Sequence, residues 1–508
     1  MFSTVLSATT RGLNVEFVQV EADVSNGLPM FQLVGYLSSE VKEAGERVRV
    51  AIKNSGFTLP PKKVVVNLSP ANVRKRGSIF DLAIAVAILT ANEELVQERL
   101  KDILLIGELS LDGGVKKVSG VLSIVLEAKK KGCKCCIVPK ENQKEGELVQ
   151  GISVVGVDSL LEVCEILKGE MVEKTVFETL NMQVISEDIY PDYAEIKGQH
   201  MVKRAVEIAV AGGHNLLMVG PPGAGKTAIA KRIPGILPPL TLEESLDLTM
   251  IYSILGQVDS ENPLKVERPF REVHHTVTNA GLIGGGMIPR PGEITLAHKG
   301  VLFLDEIAEF PKSVLETLRQ PLEEHFIRII RERGEYEFPA EFLLVAAMNP
   351  CPCGNYPDLN KCTCTASQIQ SYLGRISQPF LDRIDICVDV PKVKYNDLTE
   401  QKAEEDSKTI RERIMKAREV QKKRYTNREI SANAGLGIKD MEEFCVLSAE
   451  GQRIMEGAYE QLNLTARTYH KVLGVARTIA DLDDKAEIEA RHLREALSYR
   501  MADTKYWR

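Results

Sequence analysis

The octapeptide Gly220-Pro221-Pro222-Gly223-Ala224-Gly225-Lys226-Thr227 constrains this chain more than any other stretch. Four apolar residues, Leu216 to Val219, precede it, and Ala228-Ile229-Ala230-Lys231 follows. That order is a buried strand, a glycine-rich turn and a helix start. Glycines let backbone N–H groups wrap a phosphate with no Cβ in the way, and the helix start adds partial positive charge. In such a loop Lys226 reaches the β- and γ-phosphates, and the Thr227 hydroxyl ligates Mg²⁺. The stretch predicts an α/β domain that holds a nucleoside triphosphate.

A second apolar run, Val301 to Leu304, ends in Asp305 and Glu306. Strands of an open parallel sheet present their carboxyl ends to the ligand. Asp305 is therefore expected beside the metal, and Glu306 beside the water that attacks the γ-phosphate. A third run, Phe342 to Met348, ends in the amide Asn349.

At 508 residues the chain has room for about three domains. Its 44% hydrophobic and 27% charged residues are those of a soluble globular protein. Apolar runs such as Leu82 to Leu89 fall far short of the roughly 20 residues that span a bilayer. The N-terminus lacks a basic segment followed by a long apolar one. Ten cysteines in such a chain do not make a secreted disulfide scaffold. A cytoplasmic protein with no membrane partner is the expectation. The net charge of −7 gives no global attraction to nucleic acid, so any DNA contact must come from local basic patches.

Up to residue 170 strands and helices alternate. Val15–Val24 alternates as a strand, Phe31–Val34 resumes the pattern, and Ser38–Ser55 has helical spacing closed by Gly56. A strand at 64–68, a basic loop at 74–77, a buried helix at 80–89 and a strand at 103–111 follow. Then come a turn at 112–114, a helix at 121–131, a strand at 135–138 and a helix at 159–167. Cys133, Cys135, Cys136 and Cys164 read as ordinary thiols. Residues 171–193 are polar and weakly periodic, and read as a linker.

Beyond Asn349, Cys351-Pro352-Cys353-Gly354 and Cys362-Thr363-Cys364 place two C-x-C pairs eight residues apart. Four thiolates are the number a structural Zn²⁺ takes; free thiols, a redox switch or an Fe–S cluster are the alternatives. The span 274–293 is too glycine-rich for a packed element, while 326–338 reads as a β-hairpin with a charged tip. From 396 the chain reads as helical, with a strongly basic helix at 411–428 that is either a solvated face or a DNA or subunit contact.

These motifs, in this order, resemble the ComM family of bacterial Mg-chelatase-like AAA+ proteins over nearly the whole chain. The N-terminal third resembles that family's Lon-protease-like domain through Gly107-Glu108-Leu109-Ser110-Leu111-Asp112-Gly113 and Ile137 to Asn142. The Lon pattern laid over residues 75–79 puts Ile79 at the nucleophile position and Leu122 at the lysine position. Neither can attack a carbonyl or act as base, so a catalytically dead scaffold is expected. The basic run 74–76 is either a nucleic-acid contact or a solvated turn.

The fold implied is a Lon-like α+β domain (1–170), the linker, a P-loop AAA+ αβα sandwich of the Mg-chelatase/MCM-like branch (194–393) and a C-terminal helical lid (394–508). The resemblance further implies base contacts from Ile196 and Gln199, and a sensor role for Asn349. It makes Arg383 an arginine finger, with an ion pair to Asp382 or Asp385 as the alternative. It sets Arg467 on the γ-phosphate. In that branch the 274–293 insert and the 326–338 hairpin face a hexamer pore, where Arg328, Arg331, Arg333 and Lys299 could track a phosphate backbone. His274 and His275 are adjacent, which suits a structural or nucleotide-proximal role better than a shared metal. The resemblance implies an ATP- and Mg²⁺-dependent hexameric helicase or branch-migration motor on single-stranded or branched DNA, in recombination or natural transformation. A magnesium-chelatase motor and an ATP-dependent protein remodeller are the alternatives.

Overall fold

Strand alternation sets the N-terminal unit. Phe2–Arg11 pairs antiparallel with Asn14–Ser25, and Val18, Val20, Ala22 and Val24 are buried, one residue in two along the strand. A computed structural model describes residues 1–169, 190–287, 289–331, 334–393, 395, 404–428 and 430–507. Most of the expected linker and Arg333 lie outside the described residues.

The described chain forms two compact units. The first holds a mixed seven-stranded sheet in the order Met30–Val34, Lys63–Ser69, Asn14–Ser25, Phe2–Arg11, Ile103–Leu105, Cys135–Pro139 and Ser153–Val157. Against it lies the helix Asp81–Ala91, every residue of which is buried. Its sequence is apolar on all sides, as a helix buried all round must be. The strand expected over 103–111 is broken. Ile106 N–H donates to Ile137, Gly107 N–H donates to Ile79, and pairing resumes only at Glu108–Leu109. The strands Phe2–Arg11 and Ser153–Val157 escape the sequence reading.

This unit also takes in Thr241–Val266 and Ile330–Glu337. The helix Leu242–Ile254, begun by a Thr241/Glu244 capping box, bonds Glu145 through Ser253. It therefore packs here although its position in the chain falls inside 194–393.

The second unit is built on a five-stranded all-parallel sheet in the order Phe270–Val273, Val301–Leu304, Leu343–Met348, Leu216–Val219 and Ile386–Asp389. Three of these strands are apolar and buried at every position, as parallel strands covered on both faces must be. The first strand in sequence, Leu216–Val219, sits between the fourth and the fifth. Chain order reverses there, at the switch point where open α/β sheets bind ligands.

The span 274–293 is not the unpacked loop its glycines suggest. It holds a short helix, Asn279–Ile283, and a minimal ladder, Gly284–Gly285 with Arg290–Pro291. A Cβ on Gly284 would lie 2.2 Å from the Arg290 carbonyl oxygen, and one on Gly292 would lie 2.3 Å from the Gly284 nitrogen. Glycine here allows two backbones to touch. The hairpin expected at 326–338 is present as Phe326–Arg331 and Gly334–Pro339.

The C-terminal helices are Ser407–Arg424, Ile438–Phe444, Ala449–Gln461, Ala466–Leu482 and Ala490–Trp507. The arginines of the first are mostly spent inside the unit. Arg411 donates to Gly235, Arg413 binds Glu207 and Glu405, Arg418 donates to Val210, and Arg424 grips Asp481. Lys416, Lys422 and Lys423 are left exposed on it. The charge-rich helix is a fastening between lid and core as well as a solvated face.

Candidate active site

The P-loop leaves the strand Leu216–Val219 at a position only glycine can fill, since a Cβ on Gly220 would sit 2.2 Å from the Val390 carbonyl oxygen. Gly223 and Gly225 take φ of 74° and 90°, with open space where a Cβ would point. Left-handed glycines turn backbone N–H groups toward a common centre. Lys226 begins the helix Lys226–Ala230 and folds back over the loop, with Nζ 2.6 Å from the Gly220 carbonyl, 3.0 Å from that of Pro221 and 3.1 Å from Asn349 Oδ1. Burial lowers the pKa of this lysine, opposed by Asp305 and Glu306.

Thr227 Oγ1 donates to Asp305 Oδ2 at 2.7 Å. A hydroxyl and a carboxylate oxygen in contact are a donor set for a hard, oxygen-seeking cation such as Mg²⁺. Asp305 and Glu306 follow the last residue of the strand Val301–Leu304. Glu306 is exposed and adopts φ of 51°, left-handed backbone that a non-glycine residue seldom takes. Asn349 follows the neighbouring strand Leu343–Met348, so the sheet alone brings Lys226, Thr227, Asp305 and Asn349 together.

On the flank, Gln199 also has a left-handed backbone, φ 57°. Its Nε2 donates to Pro391 at 2.6 Å and lies 3.4 Å from the P-loop carbonyl of Ala224. Its Oε1 is buried with no hydrogen-bond partner among the described residues. The Ile196 carbonyl accepts from Lys203 at 2.6 Å, and its side chain packs on the core. Tyr193, fully buried, donates to Ile229 in the P-loop helix.

Arg383 and Arg467 belong to a separate cluster. Arg383 is buried and binds Glu323 Oε1 at 2.7 Å, and the exposed Arg467 binds the same oxygen. The partner of Arg383 is thus neither Asp382 nor Asp385. Asp385 is engaged by Lys471 at 2.8 Å. Hydrogen bonding from Arg467, with the charge of Arg383, holds the Glu323 carboxyl below its ordinary range. Glu323 carried no signal in the sequence, because one of two adjacent acids before a hairpin does not stand out until two arginines meet on it.

The sulfurs of Cys351, Cys353, Cys362 and Cys364 all lie within 4.8 Å of one another. Three of the separations are 3.4, 3.6 and 3.8 Å. A tetrahedral Zn²⁺ with Zn–S of about 2.3 Å sets its sulfurs roughly 3.8 Å apart. Backbone N–H groups of Asn355 and Thr363 lower the pKa of the Cys353 thiol. At Cys362 and Cys364 a backbone hydrogen bond is outweighed by desolvation and the neighbouring sulfurs, which raise the pKa. The cluster fits a thiophilic cation.

Arg328 and Arg331 are exposed on the hairpin, Arg328 with its guanidinium 5.2 Å from the Phe326 ring. Lys299 lies elsewhere, ion-paired with Glu341, so its ammonium is already engaged. His274 stacks near His275, ring centres 4.0 Å apart, and bonds Thr276. In the first unit Ile79 and Leu122 are buried. Ser78 donates to Glu108.

Sequence comparison bears on this geometry. Residues 192–398 match the family model "Magnesium chelatase, subunit ChlI", residues 20–142 match "Subunit ChlI of Mg-chelatase", and residues 404–500 match its C-terminal model. The protein YifB of Escherichia coli is 42% identical over 502 residues, covering 99% of this chain and 97% of that protein. The competence protein ComM of Haemophilus influenzae is 41% identical over 504 residues, 98% and 97% of the two chains.

The chain belongs to the ComM and YifB family of Mg-chelatase-like AAA+ ATPases.

Within the family frame, the parallel sheet is the AAA+ core and the C-terminal helices are the chelatase-like helical domain. Lon protease 2 of Bacillus subtilis is 26% identical over 216 residues, 36% of this chain and 38% of that one, in keeping with a Lon-like N-terminal unit. Among the described residues, no helix is long and apolar enough to cross a membrane.

Proposed function

We propose that the protein is an ATP-driven, ring-forming motor that acts on single-stranded or branched DNA. The observation that carries the ATPase part is the pairing of Lys226 with Asn349 and of Thr227 with Asp305 at the sheet's switch point. ATP lies in the loop 220–227, with its base toward Ile196 and Gln199. Thr227 and Asp305 would hold Mg²⁺, which would supply charge neutralisation at the phosphates. Glu306 polarises the attacking water and Asn349 orients it. The four cysteines of the knuckle would hold a structural Zn²⁺.

Arg383 and Arg467 share Glu323 and bond none of the P-loop residues. On this reading they serve a neighbouring subunit's phosphates in a closed ring, with six subunits as in the resembling family. DNA as the substrate is supported by full-length similarity to a protein named for competence and by the exposed Arg328 and Arg331.

The test is steady-state ATPase activity with no addition, with single-stranded DNA, with a four-way junction and with unfolded protein, at two salt concentrations. Salt-sensitive stimulation by DNA is the expected result, because phosphate contacts release counterions. Stimulation by unfolded protein alone would replace the DNA motor with a protein remodeller. Activity indifferent to both would favour a chelatase-type motor awaiting partner subunits.

A further inference from the structure

Gly354, in the middle of the cysteine knuckle, is buried and takes φ of 77°. A Cβ there would lie 2.3 Å from Cδ of Pro222, in the middle of the P-loop. The knuckle backbone is thus in direct contact with the loop that would hold the phosphates. Its first cysteine, Cys351, is fully buried two residues after Asn349. It accepts a hydrogen bond from Tyr356 N–H at 3.4 Å. The Asn355 side chain donates to the Cys353 carbonyl at 3.3 Å, closing the turn on itself.

The other side of the knuckle reaches the last helix. The Tyr356 ring stands 6.2 Å from that of Tyr506. Tyr506 donates to Asp389 at 2.7 Å, and Asp389 is the ladder partner of Val219, the residue before the P-loop. The knuckle therefore lies against the P-loop on one side and the end of the C-terminal helix on the other. Such a loop, 14 residues from Cys351 to Cys364, contains no helix or strand among its described residues. Four thiolates on one ion would fix its shape, as structural zinc sites do.

We propose that Cys351, Cys353, Cys362 and Cys364 bind one Zn²⁺, and that the zinc-closed knuckle positions the P-loop through Gly354 and Pro222, so that nucleotide affinity depends on the metal. The ion supplies no chemistry to hydrolysis. Gly354 and the cysteines are positioning residues, acting through Pro222 and Asn349. The proposal rests on ATP occupying the loop 220–227.

The test measures metal content and the Kd of a fluorescent ATP analogue, with Mg²⁺ present throughout, on the full chain. One zinc per wild-type chain and tight analogue binding are expected. Cys362→Ser with Cys364→Ser should lose the zinc and bind the analogue more weakly. Gly354→Ala should keep its zinc yet bind the analogue more weakly, because its Cβ would meet Pro222 Cδ at 2.3 Å and the loop must shift. Stripping zinc from the wild type should weaken binding, and adding zinc alone should restore it. A wild-type chain that neither holds nor takes up zinc overturns the proposal. So do a zinc-free double variant and a Gly354→Ala chain that both bind the analogue as the wild type does. If the zinc-loaded wild type binds no ATP analogue at all, it is the nucleotide reading that fails. Gly354→Ala also guards against misfolding of the cysteine variant, since all four cysteines remain and its zinc content is measured.

Discussion

The P-loop cluster and the arginine cluster use similar side chains in opposite ways. Lys226, Thr227, Asp305 and Asn349 bond one another or the loop they serve, all at the carboxyl end of one sheet. Arg383 and Arg467 come from two different parts of the chain, on either side of the C-terminal helices' start, and meet on Glu323. Paired guanidiniums recognise a carboxylate and a phosphate by the same fork geometry. Glu323 holds the two guanidiniums beside one another. On the reading proposed above, one chain carries a nucleotide-binding half and a charge-stabilising half, and the second half serves another copy's nucleotide.

The sharpest break of that comparison is Glu306→Gln. It removes only the water-polarising group, so turnover should fall roughly 10²- to 10⁴-fold while ATP binding is retained. Unchanged kcat would sink the role of Glu306. Arg383→Ala should lower turnover on the order of 10³-fold, also without loss of ATP binding, and Arg467→Ala should move in the same direction. A loss of ATP affinity in the isolated subunit would instead put these arginines on their own chain's nucleotide.

Glu323→Gln should have a smaller effect. The bridge to Arg467 is partly exposed, and such pairs are worth about 0–1 kcal/mol. Turnover should therefore drop by less than tenfold, at constant Kd for ATP. The smallest change belongs to Lys299→Ala, whose ammonium is taken by Glu341. It should leave the salt slope of DNA binding unaltered, whereas Arg328→Ala should reduce that slope by about 1. Equal slopes for the two variants would remove the hairpin from the DNA interface.

The nucleotide half was legible because its chemistry is local. A strand, a glycine turn and a hydroxyl follow one another in eight residues, and Asp305, Glu306 and Asn349 each end an apolar run. The buried helix expected at 80–89 was equally plain. The arginine half was only half legible, because Glu323 lies 60 residues from Arg383 and 144 from Arg467. Glycine misled at 284–292, where it serves close backbone contact, not looseness. Position in the chain misled at Leu242–Ile254, where burial against the first unit decides. The basic helix Ser407–Arg424 shows why charge runs are weak signals, since most of its arginines bind acids or carbonyls of their own unit.

The most direct test of a site completed between copies is a mixing experiment with two inactive chains. Lys226→Ala lacks the phosphate lysine but keeps Arg383, and Arg383→Ala keeps the P-loop but lacks the finger. Mixed and reassembled, they should recover measurable ATPase activity, because some interfaces then combine an intact P-loop with an intact Arg383. Mixtures no more active than either chain alone, in assemblies shown to contain both, would contradict the shared site and return both arginines to their own subunit.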